Sequence, residues 1–127
     1  MLRDKRTEIA FLEVARGGLL RRGLPVQSAN VALVTNVAGD HLGQYGINTV
    51  EEIATVKSMV SKAIQKGNDF SKGTLVLNAD DGLLVTESKK LNVPICWFSE
   101  NENNPLIVKA LSQNHPCVFV RNNKLIY

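Results

Sequence analysis

Three stretches of this chain place polar or ionisable groups at the end of, or directly behind, apolar runs. Glu13 lies in IAFLEV and is followed by Arg16-Gly17-Gly18. Asn36 closes VALVTN and is followed by Asp40-His41, and Asn78 lies in TLVLNA ahead of Asp80-Asp81. In α/β sheets, ligands collect at the carboxyl ends of the strands, so three such ends side by side would gather acidic, amide and imidazole groups on one rim. Carboxylate and imidazole donors, completed by phosphate oxygens and water, suit a hard divalent ion such as Mg²⁺ or Mn²⁺. One histidine among scattered carboxylates does not make a structural zinc site.

Each of these residues also has a plainer role available. A glutamate at a strand end is often a solvated terminus, and the glycines at 17 and 18 suit a turn. Asp80 could cap the next helix, and His115, in a loop before Pro116, reads as structural. A single Arg-Gly-Gly is too little to indicate an RNA-binding tract.

The elements that would position these groups alternate between strand and helix. Residues 9–14, 31–36 and 74–79 are continuous apolar runs, as expected of buried parallel strands, and 94–98 and 117–121 are shorter β-branched or aromatic runs. Helical patterns occupy roughly residues 50–66, 81–91 and 105–113. The expected fold is α/β: three layers, with a mostly parallel sheet flanked by helices. Asn-Asn within RNNKLIY suits a tight hairpin at the sheet edge. Thr49 and Glu52 have the spacing of a capping box. Val50, Ile53, Val56, Val60, Ala63 and Ile64 then form one apolar stripe, with Lys62 and Lys66 opposite it. Lys57 falls inside the stripe, where a lysine must snorkel, pair with an anion or be chemically altered.

Bulk properties narrow the partners. The 127 residues amount to one domain, 44% hydrophobic and 21% charged with a net charge of +3. Fifteen basic residues scattered among twelve acidic ones permit phosphate ligands but do not make a nucleic-acid binder. No apolar run is long enough to span a bilayer, and the charged start lacks a secretory core, so no membrane partner is expected. Cys96 and Cys117 sit in apolar runs without a CxxC pair, and read as buried reduced thiols of a cytoplasmic protein.

Taken in order, EVARGGLLRRGL, VALVTNVAGDHLGQYGINTVEEIATVK and GTLVLNADD resemble the central, P-loop-type ATP-binding domain of Mur ligases, nearest to the Mur-ligase-like part of cyanophycin synthetases. That family uses ATP to phosphorylate a carboxylate, which an amine then attacks to form an amide bond. The resemblance implies ATP and Mg²⁺ as cofactors, with an amino acid or peptide as substrate. It implies that Glu13 and His41 serve the metal, and that Lys57 matches a lysine that is carbamylated in many members. It further places Asn78 near the adenine with Asp81 beside it, gives Asn36 and Asp40 the orienting of the loop, and sets Arg16 to meet an acidic substrate.

The family's G-x-x-x-x-G-K-[ST] loop is absent from this sequence; QKGND and SKGTL lack its spacing. Residues 1–127 are therefore expected to be a partial central domain, without the upstream phosphate loop or the C-terminal lobe, and inactive alone. The alternative expectation is a non-catalytic module that associates with itself or complements a separate P-loop subunit.

Overall fold

A computed structural model describes residues 4–39 and 42–127. The elements run α1 (Arg16–Arg22), β1 (Val31–Val34), α2 (Val50–Ser58), β2 (Thr74–Asn78), α3 (Gly82–Ser88), β3 (Ile95–Ser99), α4 (Pro105–Ser112), β4 (Cys117–Arg121) and β5 (Lys124–Ile126). The strands form one sheet in the order β1-β2-β3-β4-β5. β1 to β4 are parallel, and β5 returns antiparallel to β4. The expected class, α/β with a mostly parallel sheet and an edge hairpin, is the one observed.

Local chemistry accounts for the element ends. Thr49 Oγ1 accepts from the Glu52 amide at 3.2 Å while the Glu52 carboxylate accepts from the Thr49 amide at 3.0 Å, completing the capping box. The Asn104 side chain accepts from the Leu106 amide at 2.9 Å, and Pro105 supplies the first helical position, where its missing N–H costs nothing. Asn122 and Asn123 both take left-handed backbone angles, φ 49° and 61°, as a two-residue hairpin of this hand requires.

Two expectations are corrected. Residues 9–14 are not a strand: Ile9 is 74% exposed and Phe11 92%. Among the described residues this run has neither a strand to pair with nor a helix covering it, and an apolar run without that context does not hold strand geometry. The helix expected over 50–66 ends as an α-helix at Ser58 and continues as a 3-10 turn over Met59–Ala63. Its apolar stripe is nevertheless buried or half-buried throughout.

Register determines which face carries the core. Ala32 is level with Leu75, and Leu75 with Ile95; Val34 is level with Leu77, Leu77 with Trp97, and Trp97 with Cys117. These side chains share a face, where those of β1, β2 and β3 pack against Ile64, Leu84 and Val93. Further along, Cys117 and Phe119 pack against Ile107 and Ala110 of α4, with Trp97 touching both clusters. Leu75 and Leu77 are fully buried, each worth about 1.5–3 kcal/mol of apolar transfer. The layered expectation is met on that face. On the other, Val31 is 60% and Leu33 55% exposed. No described helix is long and apolar enough to cross a membrane. Both cysteines are buried free thiols, and burial pushes both thiols up in pKa.

Candidate functional site at the carboxyl ends of β1 and β2

The parallel strands deliver their last residues to one rim, and side chains there bind the rim together. Asn78, ending β2, donates from Nδ2 to the Thr35 carbonyl beyond β1 at 3.0 Å, and its Oδ1 accepts from the Asp80 amide at 2.8 Å. Asp81 caps α3, its Oδ1 accepting from the Leu83 and Leu84 amides at 3.0 and 3.1 Å. Its Oδ2 reaches across to accept from the Val37 amide at 2.6 Å. Lys57, half-buried in the last turn of α2, donates from Nζ to the Asn36 carbonyl at 2.9 Å. The Asn36 side-chain oxygen accepts from Thr35 Oγ1 at 3.2 Å.

Asn36, Lys57, Asn78 and Asp81 are thus brought together by direct bonds at the ends of β1 and β2. The position of Lys57 in the stripe is explained by reach: the stem lies along the apolar side while the ammonium extends to the rim. Asn78 keeps one N–H and one oxygen lone pair for a ligand, since each of its polar atoms makes a single bond here.

Glu13 is exposed in the extended segment before α1. Arg16 opens α1, half-buried, with Nη2 donating to Gln44 Oε1 at 3.4 Å. His41 and Asp40 lie outside the described residues. His115 packs its ring against Phe70, centroids 5.2 Å apart.

Asp80 differs from the plainer expectation, because the cap of α3 is Asp81. The Asp80 carboxylate instead ties β2 to the end of β3. It accepts from Ser99 Oγ at 2.7 Å, the Glu100 amide at 2.8 Å and Asn104 Nδ2 at 2.9 Å. Partial burial pushes this carboxyl up, but the bonds from Ser99, Glu100 and Asn104 outweigh it, and the pKa lies below the usual carboxylate value. Sequence reading missed this network; the available signal was Asn104 just before Pro105, which marks a cap on the neighbouring loop.

Among the described residues, no group of three His, Cys, Asp or Glu could hold a metal ion. Asp80 and Asp81 are spent on amide, hydroxyl and carboxamide donors, so the described rim does not fit a cation by itself. It offers instead an ammonium, amide groups and a polar backbone turn, which suit an anionic ligand.

The sequence profile of the Mur ligase middle domain matches residues 1–123. The chain belongs to the Mur ligase middle-domain family. It is 40% identical over 125 residues to the cyanophycin synthetase of Geminocystis herdmanii, covering 98% of this chain and 14% of that protein. It is 41% identical over 114 residues to that of a Synechocystis species, covering 90% and 12%. A UDP-N-acetylmuramoylalanine–D-glutamate ligase of Lachnoclostridium phytofermentans is 29% identical over 98 residues, 77% of this chain and 18% of that ligase. This Mur ligase domain therefore spans about one-seventh of the length of the cyanophycin synthetases it matches.

Proposed function

We propose that this Mur ligase domain contributes the phosphate-side residues of an ATP-dependent ligase that joins an acid to an amino acid. The observation that supports it most directly is the convergence of Lys57, Asn78 and Asp81 on the end of β1. In this reading the substrate carboxylate attacks the terminal phosphorus of ATP, ADP leaves, and the amine displaces phosphate from the resulting acyl phosphate. Lys57, as an ammonium or as its carbamate, faces the transferred group, and Asn36, Asn78 and Asp81 border the nucleotide. Arg16 meets an acidic substrate. Glu13 and His41 are assigned to Mg²⁺ by their family positions. A reducing, cytoplasmic setting agrees with the two free thiols.

The sequence carries no G-x-x-x-x-G-K-[ST] segment, so weak nucleotide binding and no turnover are expected of the chain alone. Titration of ¹⁵N-labelled protein with ATP and Mg²⁺ is expected to move the amides of Asn36, Val37 and residues 78–83, with no phosphate released on adding aspartate and arginine. Turnover by the chain alone would overturn its proposed inactivity. Shifts confined to other regions would overturn the site.

The exposed Val31, Leu33 and Phe11 favour a second reading, a non-catalytic module that associates with itself or with a P-loop-bearing subunit. A clean monomer in sedimentation, with no gain of phosphate release on adding such a subunit, counts against it.

A further inference from the structure

Tyr45 is an anomaly. Its backbone is left-handed, φ 57° and ψ 29°, a conformation that a bulky residue other than glycine adopts only under constraint. It sits between Gly43 and Gly46, which share that sign of φ. The turn is closed by the Gly43 amide donating to the Ile47 carbonyl at 2.7 Å. The residue is 53% exposed, so core burial does not explain the strain.

What the ring touches does explain it. A Cβ at position 17 would stand 3.3 Å from Tyr45 Cε2 and 3.4 Å from its hydroxyl, whereas one at position 18 would meet nothing within 4 Å. A side chain at the first glycine of the pair would therefore crowd the ring by a few tenths of an ångström, and one at the second would not. The Arg21 guanidinium lies 5.4 Å from the ring centroid, within cation–π range, and Arg21 Nε donates to the Gly17 carbonyl at 3.1 Å. One residue before Tyr45, Gln44 accepts from Arg16. Three residues after it, the Asn48 amide donates to Glu52 of α2 at 2.7 Å, so the loop is itself anchored.

We infer that Tyr45 is a positioning residue for Arg16: its ring, held between Gly17 and Arg21, registers α1 against the β1–α2 loop, and Gln44 orients the Arg16 guanidinium. This rests on the reading of Arg16 as the group that meets an acidic substrate, and it names the parts that fix where that guanidinium stands.

The test pairs hydrogen exchange of the α1 peptide with phenylglyoxal modification of Arg16, both read by mass spectrometry. Tyr45→Asn keeps a residue that tolerates the left-handed backbone but removes the ring. It is expected to speed α1 exchange severalfold and raise Arg16 modification, while Tyr45→Phe restores wild-type behaviour on both. Gln44→Leu is expected to raise Arg16 modification and leave α1 exchange unchanged. Unchanged exchange and reactivity in Tyr45→Asn would overturn the inference, as would a Tyr45→Phe variant behaving like Tyr45→Asn. Binding of L-aspartate, followed by amide shifts, separates the two readings. If Arg16→Lys leaves it unaltered while Tyr45→Asn loosens α1, the positioning role stands and the substrate role of Arg16 falls.

Discussion

Replacing Asp81 with alanine removes one carboxylate and three hydrogen bonds, to Val37, Leu83 and Leu84. Loss of the helix cap costs about 1 kcal/mol. Loss of the bond to Val37 strands a part-buried amide that had a charged acceptor, worth about 1.5–3 kcal/mol. Since the two effects share one side chain they do not simply add, and a total of about 2–4 kcal/mol is expected. With a urea m-value of about 1.5 kcal/mol per M, the unfolding midpoint should fall by about 2 M. Asp81→Asn divides the total. Its Oδ1 caps α3 as well as aspartate does, but its Nδ2 faces the Val37 amide donor to donor, so a loss of about 1–3 kcal/mol is expected from that contact alone. Asn equal to wild type, or Ala costing less than about 0.5 kcal/mol as an ordinary surface change would, refutes the claim that this carboxylate ties the loop after β1 to α3.

Two buried or bonded side chains elsewhere in the fold make further outcomes testable. Ser58 Oγ is buried without a hydrogen-bond partner among the described residues, so Ser58→Ala should raise the urea midpoint, by up to about 1 kcal/mol in stability; a destabilised variant would reveal a missed partner. The Asp80 carboxyl has a folded-state pKa below the ordinary aspartate value of 3.8, so the unfolded chain takes up its proton first as pH falls. Its stabilisation is complete above about pH 4 and is lost as pH drops through the folded value, so the stability gap between wild type and Asp80→Asn should narrow on that acid side alone. A gap that is flat from neutral pH down to about pH 2 would contradict the network drawn around Asp80.

Much of this was legible in the residues because it is local. The Thr49–Glu52 cap, the Asn122-Asn123 turn and the stripe of α2 each follow from spacing within one element. The position of Lys57 at the rim was legible as a conflict, a charge in an apolar stripe that had to lead somewhere. What escaped depended on partners distant in sequence. Residues 9–14 have the composition of a strand, yet a strand exists only beside another. The division of labour between Asp80 and Asp81 turns on Ser99 and Val37, residues about twenty and forty positions away. The close approach at Gly17 comes from Tyr45, twenty-eight positions further along the chain.

The two borders of the sheet are unlike. Among the described residues β1 pairs with β2 only, and its Val31–Val34 run is wholly aliphatic, without the lysine or proline that usually discourages strand addition. The opposite border is a three-residue strand that begins at Lys124. With one border open to strand addition and the other blunt, two copies of this fold could join border to border only about a two-fold axis, and such a pair would leave no open border for a third.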